Sequence, residues 1–265
     1  MAMVRMRDPD AERGPGLFFI LVALVVVAVL GARYLGFYPA NFKPTLGGGG
    51  QKEAATPPGE AGKGEPLVAI YHSHTTECYA PGDSHTAGEP GEIVQVGRAL
   101  KEALALRGVP AVHSEVIHDY PVFKEAYRQS QATIAQQVQE HPSLQMVFDL
   151  HRDGLPPDAP LDAASIELNG QRVARILLVV GDQGAYREEN LRFAEALDAR
   201  LNEMYPGLSR GVKVMSGDFN GGAFPQAVGV FIGSYPQNTL EEAERAAKLF
   251  ADVAATLIRE PEPGQ

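Results

Sequence analysis

Leu67-Val-Ala-Ile-Tyr71 runs directly into His72-Ser-His74-Thr-Thr-Glu77, and Met146-Val-Phe-Asp-Leu150 runs directly into His151-Arg152-Asp153. These two stretches decide the fold. Short apolar runs of this length, bounded by turn-forming residues, read as buried strands. In open α/β sheets a ligand site forms just beyond the carboxyl ends of such strands. Imidazoles delivered there by two strands can converge on one metal ion. Zinc suits neutral imidazole, and a catalytic zinc takes three protein ligands and keeps one open position.

Working outward, the strand candidates are Leu67–Tyr71, Val109–His113, Leu144–Leu150, Ile176–Val180 and Val228–Gly233. Between them lie segments with helical spacing of apolar residues, at Ile93–Leu106, Val122–Glu140, Glu188–Tyr205 and Thr239–Ile258. Asn238 reads as the N-cap of the last one, with Glu241 and Glu242 complementing its positive end. Ser165–Ala174 reads as a hairpin turned at Asn169-Gly170. Strands alternating with helices predict an α/β fold, a mostly parallel twisted sheet with helices on both faces.

The domain has extensions. Leu17–Phe37 is dominated by apolar residues, and the uncharged stretch 14–32 is about long enough to cross a bilayer. No small-residue cleavage site follows, so an anchor is expected rather than a removed signal peptide. Arg5, Arg7 and Arg13 favour a cytoplasmic N-terminus over residues 1–16, with the rest of the chain outside the membrane. Residues 38–65 are rich in Gly and Pro, including Gly47-Gly-Gly-Gly50, and read as a flexible linker. The folded domain is expected over 66–259, with a disordered tail at 260–265.

Composition narrows the chemistry. The formal charge of −10 argues against nucleic acid as a partner. One cysteine, Cys78, leaves no disulfide framework and no cysteine-cluster metal site, so a metal would need His and carboxylates. Cys78 beside His74 offers a nucleophile as a competing reading. His74 and His151 are the leading ligands. His72 belongs next to the site as a supporting or substrate-binding group, with Arg152 and Asp153. Asp149, between Phe148 and Leu150, needs a buried partner. A third ligand is expected from the loop 81–92, where His85 competes with Glu89; Glu92 is explained by the helix dipole alone.

YHSHTTECY, Val96-Gly97, FDLHRDG, VGDQGAYREENLRFAEAL, YPGLSRGV and NTLEEA follow one another in a fixed order across 66–258. Together they resemble the stage II sporulation protein P family, which is similar to the zinc-dependent N-acetylmuramoyl-L-alanine amidases. The resemblance implies an amidase-like fold and a membrane-anchored hydrolase at the engulfing septum. Its substrate would be peptidoglycan, cut at the muramoyl–peptide amide and at peptide cross-links. It implies zinc on His74, His151 and a third group near Glu89 or His85, and stage II sporulation proteins D and M as partners. The amidases also carry a catalytic glutamate on a late strand. Counting from Asn238 puts that position at Ile232, and counting from Gly233 puts it at Phe231; neither is acidic. Glu77 is the nearest carboxylate to replace it as general base. If nothing replaces it, the domain would bind or scaffold without cutting.

Overall fold

The computed structural model describes residues 64–219 and 221–259. The expected cytoplasmic segment, membrane span and tail, with nearly all of the linker, lie outside those residues. Among the described residues no helix is long and apolar enough to cross a membrane.

The elements follow the order β1 (Val68–Tyr71), α1 (Ile93–Leu106), β2 (Ala111–His113), a short 3-10 turn (Phe123–Glu125), α2 (Ala126–Glu140), β3 (Met146–Asp153), a second 3-10 turn (Leu161–Ala163), the hairpin β4 (Ser165–Leu168) and β5 (Gln171–Ala174), β6 (Ile176–Gly181), α3 (Arg187–Met204), β7 (Ser209–Met215), β8 (Ala227–Ser234) and α4 (Leu240–Arg259). The main sheet has six strands in the order β2-β1-β3-β8-β6-β7. Every pairing in it is parallel except β6 with β8. The hairpin turns where expected, with Asn169 and Gly170 both at positive φ (51° and 74°), as a two-residue turn of matching twist requires.

Strand alternation divides the core. Val68, Ile70, Met146, Phe148, Leu150, Val228, Val230 and Ile232 pack with residues of α1, α3 and α4. Ala69, Tyr71, Val147 and Ala227 point the other way, toward Ile134 of α2. Helices therefore cover both faces, three against one. The same period of two sends Asp149, His151 and Phe231 to the α2 face. Since β1, β3 and β8 are parallel neighbours, their carboxyl ends meet at one end of the sheet, and both histidine motifs arrive there.

Three local readings change. The edge strand β7 was not foreseen: Arg210 and Lys213 break its apolar pattern, as charges on edge strands do. Val122–Glu140 is not one helix, because the 3-10 turn precedes Ala126. The cap of α4 is Thr239 rather than Asn238. Thr239 Oγ1 accepts the Glu242 N–H (3.4 Å) while Glu242 Oε2 accepts the Thr239 N–H (3.4 Å), a reciprocal capping box. Asn238 instead ties the end of β8 to the hairpin, accepting the Ser234 N–H (2.8 Å) and donating to Ser165 Oγ (2.8 Å).

Candidate functional site

His74 and His151 come together. Their ring centroids are 5.5 Å apart. His74 sits on the turn after β1 and His151 near the end of β3, and both are buried. Around them stand Phe123, 4.1 Å from the His74 ring, Tyr127, 5.5 and 5.9 Å from the two rings, and Phe231, stacked on His151 at 4.8 Å. The Phe123 side is open to solvent, while the sheet closes the floor.

Carboxylates surround the two imidazoles. Glu77 Oε2 lies 3.5 Å from His151 Nδ1 and accepts the Arg152 N–H at 3.0 Å. Asp149 Oδ1 lies 3.1 Å from His151 Nε2. The Ser73 N–H (2.8 Å) and hydroxyl hold Asp149, which supplies the partner its strand position demanded. Asp119 Oδ2 lies 3.7 Å from His74 Nδ1. Burial disfavours a charged His151, but Asp149 and Glu77 outweigh it and push its pKa up to about 10. Burial likewise disfavours the Asp149 anion, yet His151 and the Ser73 donors hold that carboxyl below its usual range. Without a cation the pocket thus draws positive charge onto an imidazole.

Asp119 was not foreseen from sequence. It follows β2 in a His118-Asp119 pair whose only signal was two adjacent polar residues before Tyr120-Pro121. His118 is structural, bonded to the His72 carbonyl (2.7 Å) and Thr133 Oγ1 (2.8 Å).

Several expected site residues are engaged elsewhere. His72 does not share a side with His74, because the turn 73–76 breaks the alternation. It is buried under α1, where its Nδ1–H donates to the Leu150 carbonyl (3.2 Å) and its Nε2 takes the proton of His113 Nε2 (2.7 Å). Gly97 makes room for the pair, since a Cβ there would fall 2.5 Å from His113 Nε2 and 2.8 Å from His72 Nε2. Arg152 clamps the loop after Glu77, donating to the carbonyls of Cys78 (3.0 Å) and Ser84 (2.9 Å). Asp153 pairs with Arg210 (2.8 Å). His85 touches the Phe123 ring, but its Nδ1 meets Ser84 Oγ (3.0 Å) and its Nε2 faces the Arg152 guanidinium (3.3 Å), a poor setting for a cation. Glu89 is exposed. Glu92 accepts the Tyr79 N–H (2.8 Å). The buried Cys78 thiol has its pKa raised by desolvation, which disfavours the thiolate a nucleophile needs.

The family resemblance left two candidates for the missing glutamate, and the structure separates them. Ile232 is fully buried in the three-helix face of the core. Phe231 faces the site and lies flat on His151. Its apolar ring fills the position beside His151 that this residue of β8 offers to the site.

A model of the stage II sporulation protein P family matches residues 43–255. The chain belongs to that family. It is 28% identical over 223 residues to stage II sporulation protein P of Bacillus subtilis (strain 168), a match covering 78% of this chain and 54% of that protein. It therefore spans about half the length of that relative. Among solved structures it is similar to the N-acetylmuramoyl-L-alanine amidase AmiC2 of Nostoc punctiforme, with a TM-score of 0.45 and 16% identity over 75% of this chain and all (100%) of that one. It is also similar to the N-acetylmuramoyl-L-alanine amidase of Clostridium difficile 630, with a TM-score of 0.46 and 13% identity over 76% of this chain and 100% of that one.

Zinc, the metal the family resemblance implies, has to be tested against these side chains. Two imidazole nitrogens bound at about 2.0–2.1 Å to one tetrahedral ion put their ring centroids roughly 5 Å apart; the observed 5.5 Å is close to that. His74 Nδ1 is buried without a hydrogen-bond partner, which a bound cation nearby would help to explain. Among the described residues no group of three such side chains is drawn together tightly enough to hold an ion as it stands. The donor types are those zinc takes, two imidazoles with carboxylates beside them.

Proposed function

We propose that this domain is a zinc-dependent peptidoglycan amidase of sporulation, cutting the amide between muramic acid and the stem peptide and also peptide cross-links. The observation that carries the reading is the paired His74 and His151 at the mouth of the sheet, with the Glu77 carboxylate 3.5 Å from one of them. His74 and His151 would hold the metal. When bound, zinc supplies Lewis acidity: it lowers the pKa of water and polarises the substrate carbonyl.

The remaining work falls to the chain. Glu77 takes the proton of the attacking water and returns it to the leaving amine, a role worth about 10²–10⁴-fold in rate. Asp149 holds the His151 ring in one orientation, as carboxylates behind metal-binding histidines do. Tyr127 and Phe231 wall the far side against solvent. The part given in the amidases to a late-strand glutamate thus moves to the loop after β1. The anchor read at 17–37 and the linker at 38–65 would let the domain work on wall next to the septal membrane, with stage II sporulation proteins D and M as partners.

The second reading, a domain that holds peptidoglycan without cutting it, is favoured by one observation, an apolar ring, that of Phe231, stacked on His151. Chelation separates the two. The full chain should release muropeptides from purified sacculi with zinc, stop on addition of a strong chelator and recover when zinc is restored. Binding to sacculi with no release under any metal condition would refute the amidase and favour the holding domain.

A further inference from the structure

We infer that the cleft between α2 and the loop after β7 holds the stem peptide of the substrate, with Asp218 taking the free side-chain amine of the peptide's diamino acid. The inference rests on the amidase reading above and names what the site recognises on the leaving side of the bond. The cleft has a volume of about 250 Å³ and is lined by Tyr127 and Gln131 of α2 and by Gly217, Asp218 and Phe219. It adjoins the histidine pair through Tyr127, whose ring centroid is 5.9 Å from that of His151 and 5.0 Å from that of Phe219. Pockets that enclose a whole small ligand run to about 300–1,000 Å³, so this one takes part of a chain. The two halves of the substrate differ in shape. A glycan strand runs on in both directions and needs the open side at Phe123. A stem peptide is a short branch that ends, and it suits a bounded cleft. Its length fits as well, since three extended residues reach about 10 Å and the two ring-to-ring steps cover a similar distance.

The chemistry of the cleft selects an amine. Asp218 Oδ1 accepts the Gly222 N–H (2.7 Å). A carboxylate offers about four acceptor sites, so capacity remains for an incoming donor. Asp182 accepts the Gly217 N–H (2.9 Å), which puts a second carboxylate at the rim. Among the described residues neither carboxylate is in an ion pair. Two glycines let this wall form: a Cβ at Gly184 would stand 2.3 Å from Asp218 Oδ1, and one at Gly217 would stand 2.9 Å from the Phe219 ring. Gln131, exposed on the facing helix, offers an amide that can pair with a peptide group. The diamino acid is the third residue of a stem. Its side-chain amine is cationic in a free stem and acylated, hence neutral, in a stem that has accepted a cross-link. A carboxylate at that point tells the two apart.

Binding is read separately from cleavage. The full chain in detergent is titrated with the tripeptide L-alanyl-γ-D-glutamyl-L-lysine and with its Nε-acetyl form, followed by ligand-observed nuclear magnetic resonance. The wild type should bind the free-amine peptide at least about tenfold more tightly, the scale of one hydrogen bond to a charged group. Asp218→Asn keeps Oδ1 for Gly222 and should bring the two affinities within about twofold. Should that variant fail to fold, Gln131→Lys, at an exposed position, sets a cation across from Asp218 and should likewise remove the preference. Equal affinities in the wild type, a preference that survives either folded variant, or no binding of either peptide overturns the assignment. A chain that shows the preference, loses it in the variants and yet releases no muropeptide would uphold the cleft and refute the amidase reading; a chain that cuts sacculi without the preference would do the reverse.

Discussion

Gly91→Ala should damage the site without touching any of its side chains. Gly91 lies just before α1, where the chain crosses the turn that carries Glu77. Its N–H donates to the Thr75 carbonyl (2.8 Å), and the Ile93 N–H donates to the Glu77 carbonyl (3.0 Å). A Cβ on Gly91 would stand 2.2 Å from the Glu77 carbonyl oxygen and 2.5 Å from that of Thr76. Ordinary contacts begin near 3.4 Å, so one backbone must retreat by about 1 Å, and the atoms met are backbone rather than a flexible side-chain tip. Such overpacking costs about 1–3 kcal/mol. The catalytic consequence is larger, because displacing a reacting group by about 1 Å can cost on the order of 10²-fold. The assay is release of muropeptides by the zinc-loaded full chain, with thermal melts on the same samples. Gly91→Ala should show a modest drop in melting temperature and a loss of turnover near 10²-fold with zinc still bound. Wild-type melting and wild-type turnover together would refute it, showing that the turn absorbs the methyl group without moving Glu77.

Three further outcomes follow from the same geometry. In metal-free protein, burial and the neighbouring His113 push His72 down to about 3, and burial likewise pushes His113 to about 4. Both pKa values are depressed, so the stability they carry is present above the unfolded value near 6.5 and is lost as pH falls toward the folded ones; between pH 7 and 5 that loss is about 2 kcal/mol per histidine. Denaturant melts should show His113→Gln flattening this acid limb by about that amount, and an unchanged limb would remove the pair from the account. Glu77→Gln should lower turnover by about 10²-fold or more while zinc content stays at the wild-type level; unchanged turnover in steady-state digestion would sink its role as base. Ile232→Glu should cost several kcal/mol, because it buries a carboxylate in the three-helix core, whereas Phe231→Glu should cost less and bring a carboxylate beside His151; equal melting temperatures for the two would contradict the alternation of β8.

Much of this was legible in the chain, for stated reasons. Val68–Tyr71 and Met146–Leu150 are buried on both faces, so they carry continuous apolar runs, and the parallel sheet followed from the helices between them. The convergence of His74 and His151 followed from their place just past two parallel strands. Whether a side chain near a turn points in or out was not legible. Extended-chain alternation would put His72 and His74 on one side, but the turn at 73–76 sends His72 under α1 to meet His113. Asp119 was invisible because it lies on an irregular segment with no period, and only the tertiary fold brings it 3.7 Å from His74. Strand β7 was hidden by charges that its edge position tolerates. The choice between Phe231 and Ile232 needed the register of β8 against β3, which pairs Phe231 with His151.

The centre at His74 and His151 is proposed to break an amide of peptidoglycan. Mass spectrometry of sacculi digested by the zinc-loaded full chain, beside a His151→Ala chain of equal folded content, tests it most directly. Free stem peptides bearing a new alanine amino terminus and glycan strands bearing free lactyl carboxylates are expected, both lost with His151→Ala. Digestion products identical for the two chains, or sacculi left intact by the zinc-loaded wild type, would contradict it.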